Sequence, residues 1–344
     1  MKQLRKAALG FALCFTLASI LPSLPSWKQI SIIANAEEYV WDEEKVIQYA
    51  VYDDHAEVVS CDDDYEGEVE ILSQVHGVPV TIIAEDAFEE CSLSGLMVPD
   101  SVTGIDEWAF SDCDYITHIS FGSGVEDAHA LPINSWNLES ITVSKDNPYY
   151  TSDDGVLYDK KKTKIIAYPR MKQGAFSIPK GITEISSGEF ESCDELTSIS
   201  IPDSVTSIGS YAFGLCDKLN KVELPNSVTS IGDFAFRQCD SLESIAIPSK
   251  LSKIGDGVFL HCKSLNSVSI PNGIKALGQS MFEGCISLKS IVLPDSLEGI
   301  ELHAFSGCTA LSSTNIPSRV KYISWSAFSG CAALTKINIP EGVT

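Results

Sequence analysis

Apolar and polar positions alternate along this chain in short bursts. Ile199-Ser200-Ile201 and Val222-Glu223-Leu224 have period two, which predicts brief strands with one face inward and one outward. A proline stands at or just past the end of each burst, removing a backbone donor and closing the strand. The V-x-x-I-x-x-x-A-F stretch that follows has no sustained helical periodicity. The return path is therefore predicted as turns with a second short extended or 3₁₀ segment.

The bursts recur. Phe-x-x-Cys occurs at Phe88/Cys91, Phe110/Cys113, Phe190/Cys193, Phe213/Cys216, Phe236/Cys239, Phe259/Cys262, Phe282/Cys285, Phe305/Cys308 and Phe328/Cys331, and from Cys193 onward every step is 23 residues. The shared unit is C-x-x-L-x-x-[IV]-x-[IL]-P-x-x-[VLI]-x-x-[IL]-x-x-x-[AVM]-F-x-x-C, with Thr314 replacing one aliphatic residue. So few apolar positions per unit cannot close a core alone, but stacked units bury their rows against one another. The predicted fold is a β-rich solenoid of 23-residue coils with short parallel strands. Leu196, Ile199, Ile201, Val205, Ile208, Phe213 and Cys216 are expected to point inward.

This unit resembles the BspA-like leucine-rich repeats of bacterial surface proteins, from about Val69 to the end of the chain. The resemblance implies a leucine-rich repeat solenoid and adhesion to host or bacterial surfaces.

The register breaks between Cys113 and Cys193, 80 residues that are not a multiple of 23. Strand-like echoes survive at Ile116 to Phe121 and Leu138 to Val143. Between them and Phe176 lies "NPYYTSDDGVLYDKKKTKIIAYP", predicted as a hairpin insert over 147–169. Residues 37–76 are expected to cap the first coil of a solenoid over 77–344, while "IPEGVT" stops mid-coil, as if the natural chain continued.

Charge narrows the partners. The formal net charge is −23, and residues 1–36 contribute four basic and no acidic side chains. Nucleic acid and anionic membrane are therefore poor partners. Lys2, Arg5 and Lys6, an apolar run from Ala7 to Leu21 and the small residues Ala34-Asn35-Ala36 read as a secretory signal peptide over 1–36. The alternative is an uncleaved membrane anchor. The expected location is the cell surface or the medium, without membrane insertion after cleavage.

Candidate chemistry is sparse. Ten cysteines lie beyond residue 36, close enough between coils for disulfides, yet Cys193 to Cys331 form an odd, unbroken row that small buried thiols explain. Fourteen acidic residues crowd 37–70 without EF-hand spacing. His55, His76, His118, His129, His261 and His303 are scattered, and no hydrolase or phosphate-loop motif occurs. No catalytic residue, metal site or cofactor is expected.

Binding remains. Outward strand positions such as Ser200, Lys221, Glu223, Ser244 and Ser267 are small and polar, as consistent with plain solvent exposure as with recognition. Aromatic side chains are better anchors. Trp108, Tyr211 and Phe234 share a slot two residues before the repeat Phe, and Trp325 lies one place earlier in its coil. Tyr149, Tyr150, Tyr158, Lys160 and Lys161 belong to the insert, where an interruption breaks a uniform surface. The expectation is a binding module for a protein or glycan. Its rivals are a targeting arm for an enzyme domain beyond Thr344, or a structural spacer.

Overall fold

The computed structural model describes residues 36 and 38–344, except His129 and Asn134. The signal peptide expected over 1–36 falls outside these residues but for Ala36. The described chain winds into a solenoid of about 12 turns with about 23 residues per coil and no helix among the described residues.

The repeat motif is a sequence of closed turns. Val228 N–H donates to the Pro225 carbonyl at 3.1 Å, which makes P-x-x-V a turn at the end of each strand. Cys262 N–H reaches Phe259 O at 3.2 Å and Leu265 N–H reaches Cys262 O at 3.2 Å, so F-x-x-C-x-x-L is two turns in succession. Between turns the chain is extended twice. Longer strands pair in parallel, with Ser198 opposite Lys221 and Ile199 opposite Val222. Two-residue strands pair on the return side, with Ser207 opposite Ser230 and Ile208 opposite Ile231.

A third ladder runs through the Phe turn. Tyr211, Phe213 and Leu215 donate their N–H groups to Asp233, Ala235 and Arg237 of the next coil at 2.8–2.9 Å. Tyr211 and Leu215 both have positive φ, at 57° and 63°, and the same two slots recur in every Phe coil. Left-handed residues on either side of the Phe turn alternate N–H groups toward the following coil. Inside, the Phe rings stack: Phe190, Phe213, Phe236, Phe259, Phe282, Phe305 and Phe328 follow one another at 5.1–5.9 Å, nearly parallel. Each thiol from Cys216 to Cys331 donates to the carbonyl of the Phe one coil earlier at 3.0–3.1 Å. The cysteines of residues 61–331 are free, and all but Cys331 are buried. Burial pushes the Cys216 and Cys262 thiols up to about 12, which keeps them protonated.

At the N-terminal end, Glu38–Trp41, Ile47–Val51 and Ala56–Cys61 form an antiparallel meander. Its last strand pairs in parallel with Val78–Ile83, which pairs with Gly104–Ile105 of the next coil. Val46, Ile47, Tyr49 and Val58 thereby join the core that contains Phe88.

The insert differs from the expected hairpin. Tyr150–Asp153 adds a third strand, antiparallel to Val156–Asp159, which pairs with Ile165–Ala167. This sheet stands between two separate hydrophobic cores. Leu157 belongs to the first, with Phe121 and Ile141, while Val156 and Tyr158 belong to the second, with Phe176 and Phe190. Strand alternation sends neighbouring side chains to opposite faces, so the insert partitions the molecule.

Candidate functional site

Apart from Val292, which is 68% exposed, the strand face of the regular coils carries mostly small or paired groups. Ser244, Ala246, Ser267 and Ser269 are exposed, and the exposed Lys221 and Glu223 neutralise each other at 2.8 Å. On the turn side, the aromatic slot serves stacking in the regular coils. The Tyr211 and Phe234 rings lie 5.1 Å apart, and Arg237 covers Tyr211 at 5.7 Å. Phe234 in turn lies over the next coil, where a Cβ on Gly257 would come within 2.3 Å of its ring. Glycine is required there by that approach and suits its φ of +57°.

Trp108 occupies the same slot and is 63% exposed. The next coil explains this. Ile119 pairs with Ile141 after only 22 residues, and no Phe turn intervenes. Ser135 sits where a cysteine is expected, and its hydroxyl donates to the Cys113 carbonyl at 3.0 Å. A groove of about 520 Å³ opens there, lined by Ile105, Trp108, Phe110, Asp127, Leu131 and Pro132. Trp325, 86% exposed, lies far along the chain from it and is not among its lining residues.

The insert residues divide. Asn147 is fully buried: its Nδ2 donates to the Gly122 and Val125 carbonyls, and its Oδ1 accepts the N–H groups of Tyr149 and Tyr150. The Tyr150 hydroxyl donates to the Glu126 carbonyl at 2.9 Å and accepts the Ala128 N–H, while the Tyr149 hydroxyl donates to the Glu126 carboxylate at 3.0 Å. Both therefore tie the insert to the irregular coil, and Tyr149 remains 45% exposed. Tyr158 is not a surface residue: at 2% exposure it fills the second core, because strand alternation turns it inward. Lys160 donates to the Lys145 and Asn147 carbonyls, at 3.0 and 2.5 Å, and so fastens the loop. Lys161 is exposed.

Two features escaped the sequence analysis: the partner of Trp136, an aromatic flanking the insert, and Glu189. Trp136, 57% exposed, carries the Arg170 guanidinium 4.1 Å above its ring. Nothing in the repeat pattern pairs those positions. The second feature had a signal. Glu189 occupies the slot immediately before the repeat Phe, which is Ala87, Ala109, Ala212, Ala235, Val258, Met281, Ala304 and Ala327 elsewhere, all buried. Its carboxylate accepts the Ser186 N–H, and burial pushes its pKa up to about 7. It lines a cleft of about 260 Å³ between the insert and the second half, with Lys164, Tyr168, Arg170 and Glu191. The segment Ala130–Ile133 separates the two openings, since Ala130, Leu131 and Pro132 line the groove and Ile133 the cleft.

Among the described residues no group of three or more His, Cys, Asp or Glu side chains could hold a metal ion, and no helix is long and apolar enough to cross a membrane.

Parallel strands on a constant coil, with an aliphatic and Phe/Cys row turned inward, define a leucine-rich repeat solenoid. The chain belongs to the BspA-type leucine-rich repeat family, whose profile matches residues 81–173, 166–288 and 229–344. A leucine-rich repeat protein from Bacteroides ovatus is 24% identical, with a TM-score of 0.63 over 89% of this chain and 90% of its own. One from Eubacterium ventriosum, also 24% identical, has a TM-score of 0.61 over 89% of this chain and 98% of its own. These likenesses concern the fold. No curated protein matches the chain.

Proposed function

We propose that the chain is a secreted or surface-displayed binding module that holds a protein or glycan partner at the junction between its two halves. The observation that carries this is the distribution of exposed aromatics. Trp41, Trp108, Tyr115, Trp136 and Tyr149 all precede the regular coils, which expose only Trp325 among the described residues. Binding energy concentrates in Trp, Tyr and Arg anchors beside concave, desolvated surface, and Trp108, Trp136 and Arg170 adjoin the groove and the cleft. The leader-like residues 1–36 and the resemblance to surface proteins support display outside the cell. The net charge of −23 disfavours nucleic acid.

The test begins with protein and glycan arrays probed with residues 37–344. For any partner retained, Trp108→Ala with Trp136→Ala is expected to weaken binding at least about tenfold. Ser244→Arg with Ser267→Arg on the strand face is expected to change it less than about twofold. The reverse ranking, with both variants folded, moves the site to the strand face and overturns the proposal.

A further inference from the structure

In every other Phe coil the residue before the repeat Phe is a small or aliphatic side chain pressed into the stack. A carboxylate in that slot is destabilising unless something uses it. At Glu189 the stack is open on one side, because the coil before it is replaced by the insert. Tyr168 continues the aromatic spine there, 4.9 Å from Phe190, and its buried hydroxyl has no partner among the described residues. Lys164 and Arg170 line the same cleft, with Glu191 and the apolar Ile165. Arg170 is held by its stack on Trp136.

The chemistry of this lining discriminates between ligands. Two carboxylates accept, while a lysine, an arginine and a phenol donate, and with Glu189 ionised the charges of the two acids and two bases cancel. A simple anion meets two carboxylates, and a simple cation meets two basic groups. A neutral polyol, each of whose hydroxyls both donates and accepts, can satisfy both kinds. The volume of about 260 Å³ is below the range of drug-sized pockets and suits a single ring.

We infer that the cleft between the insert and the second half is a subsite for one neutral sugar ring of a glycan, with Glu189 and Arg170 binding ring hydroxyls, Tyr168 donating to a third and Ile165 supplying apolar contact. This rests on placing the binding function at the junction, and names the ligand class within it.

The probe is a panel of neutral methyl glycosides of glucose, galactose, mannose and N-acetylglucosamine, with methyl glucuronide and lysine amide as charged controls. Binding to the intact chain is followed by saturation-transfer NMR and calorimetry. At least one neutral glycoside is expected to bind and to outcompete both controls. Glu189→Ala, which restores the residue type of the other coils and so preserves folding, is expected to weaken that glycoside at least about tenfold. Tyr168→Phe, which removes only an unpartnered hydroxyl, is expected to weaken it about fivefold. Binding of the charged controls alone, binding of no glycoside, or glycoside binding unchanged by Glu189→Ala each overturns the subsite. If the glycosides fail while Trp108→Ala with Trp136→Ala still abolishes capture of an array partner, the junction stands and only the sugar falls. If both fail, the junction falls as well.

Discussion

From Cys193 to Cys331 each coil repeats the last, whereas between Cys113 and Cys193 the chain drops its Phe turn, inserts a three-stranded sheet and exposes Tyr115, Trp136 and Tyr149. In the first region nearly every large side chain is committed to stacking. Even the exposed slot is drawn in, since Tyr211 lies on Phe234 and Phe234 on the backbone of Gly257. In the second region the lost Phe turn uncovers Trp108, and the insert leaves Glu189 beside a cleft. Stacking and exposure compete for the same residues, and the chain separates them along its length.

The largest test of this contrast is in the Phe spine. Phe259 is sandwiched between Phe236 and Phe282, whereas Phe110 stacks on Phe88 alone. Phe259→Ala is expected to cost about 3–5 kcal/mol in denaturant unfolding. Phe110→Ala is expected to cost about 1 kcal/mol less, one aromatic pair fewer. Equal losses would erase the distinction between open and closed stack.

Next is Glu189. Its pKa in the folded chain, about 7, lies above the ordinary 4.5, chiefly through burial, with Glu184 raising it and Lys164 lowering it. Arg170 and Glu191 share its cleft. Because the folded state then binds more protons than the unfolded one, this group's contribution falls as pH rises from about 4.5 to about 7 and is level above. Glu189→Ala is expected to stabilise the chain by up to about 3 kcal/mol at pH 8 and to gain nothing from this source at pH 4. Thermal melts across that window check the sign, and a gain at pH 4 equal to that at pH 8 would show that ionisation is not the cause.

Gly257→Ala probes the stacked slot itself. The added Cβ meets the Phe234 ring, and the expected loss is about 2 kcal/mol. In a Phe234→Ala background the penalty is expected to shrink by about 1 kcal/mol, a coupling that a double-mutant cycle measures. Additive losses would mean that the ring does not rest on the glycine.

The smallest contrast is between two lysines. Lys160 fastens the insert through two carbonyls, and Lys160→Ala is expected to cost about 1 kcal/mol. Lys218 pairs with Glu195 across adjacent coils at the surface, and Lys218→Ala is expected to cost less than about 0.5 kcal/mol.

The solenoid was legible because stacking forces the same apolar row to return at a fixed interval, and Val205, Ile208 and Phe213 are buried as that row requires. The insert was legible only in part. Its length broke the count, but Tyr150–Asp153 is a polar strand without alternation, held by pairing with Val156–Asp159 and by the buried Asn147. Tyr158 looked like a surface anchor because an aromatic in an insert carries no mark of which face it takes. Its burial depends on two cores meeting across one strand. Glu189 was missed although its signal was there, since a charge in a slot that is apolar eight times elsewhere needs no structure to be noticed.

The uniform half has a consequence for reach. Its coils are interchangeable steps, so adding or deleting one 23-residue unit anywhere between Cys193 and Cys331 would displace the junction from whatever lies further along the chain by about 4.8 Å, the spacing of neighbouring strands, without altering a residue of the groove or cleft. The position of the junction along the molecule can therefore change in whole coils while its groove and cleft stay the same.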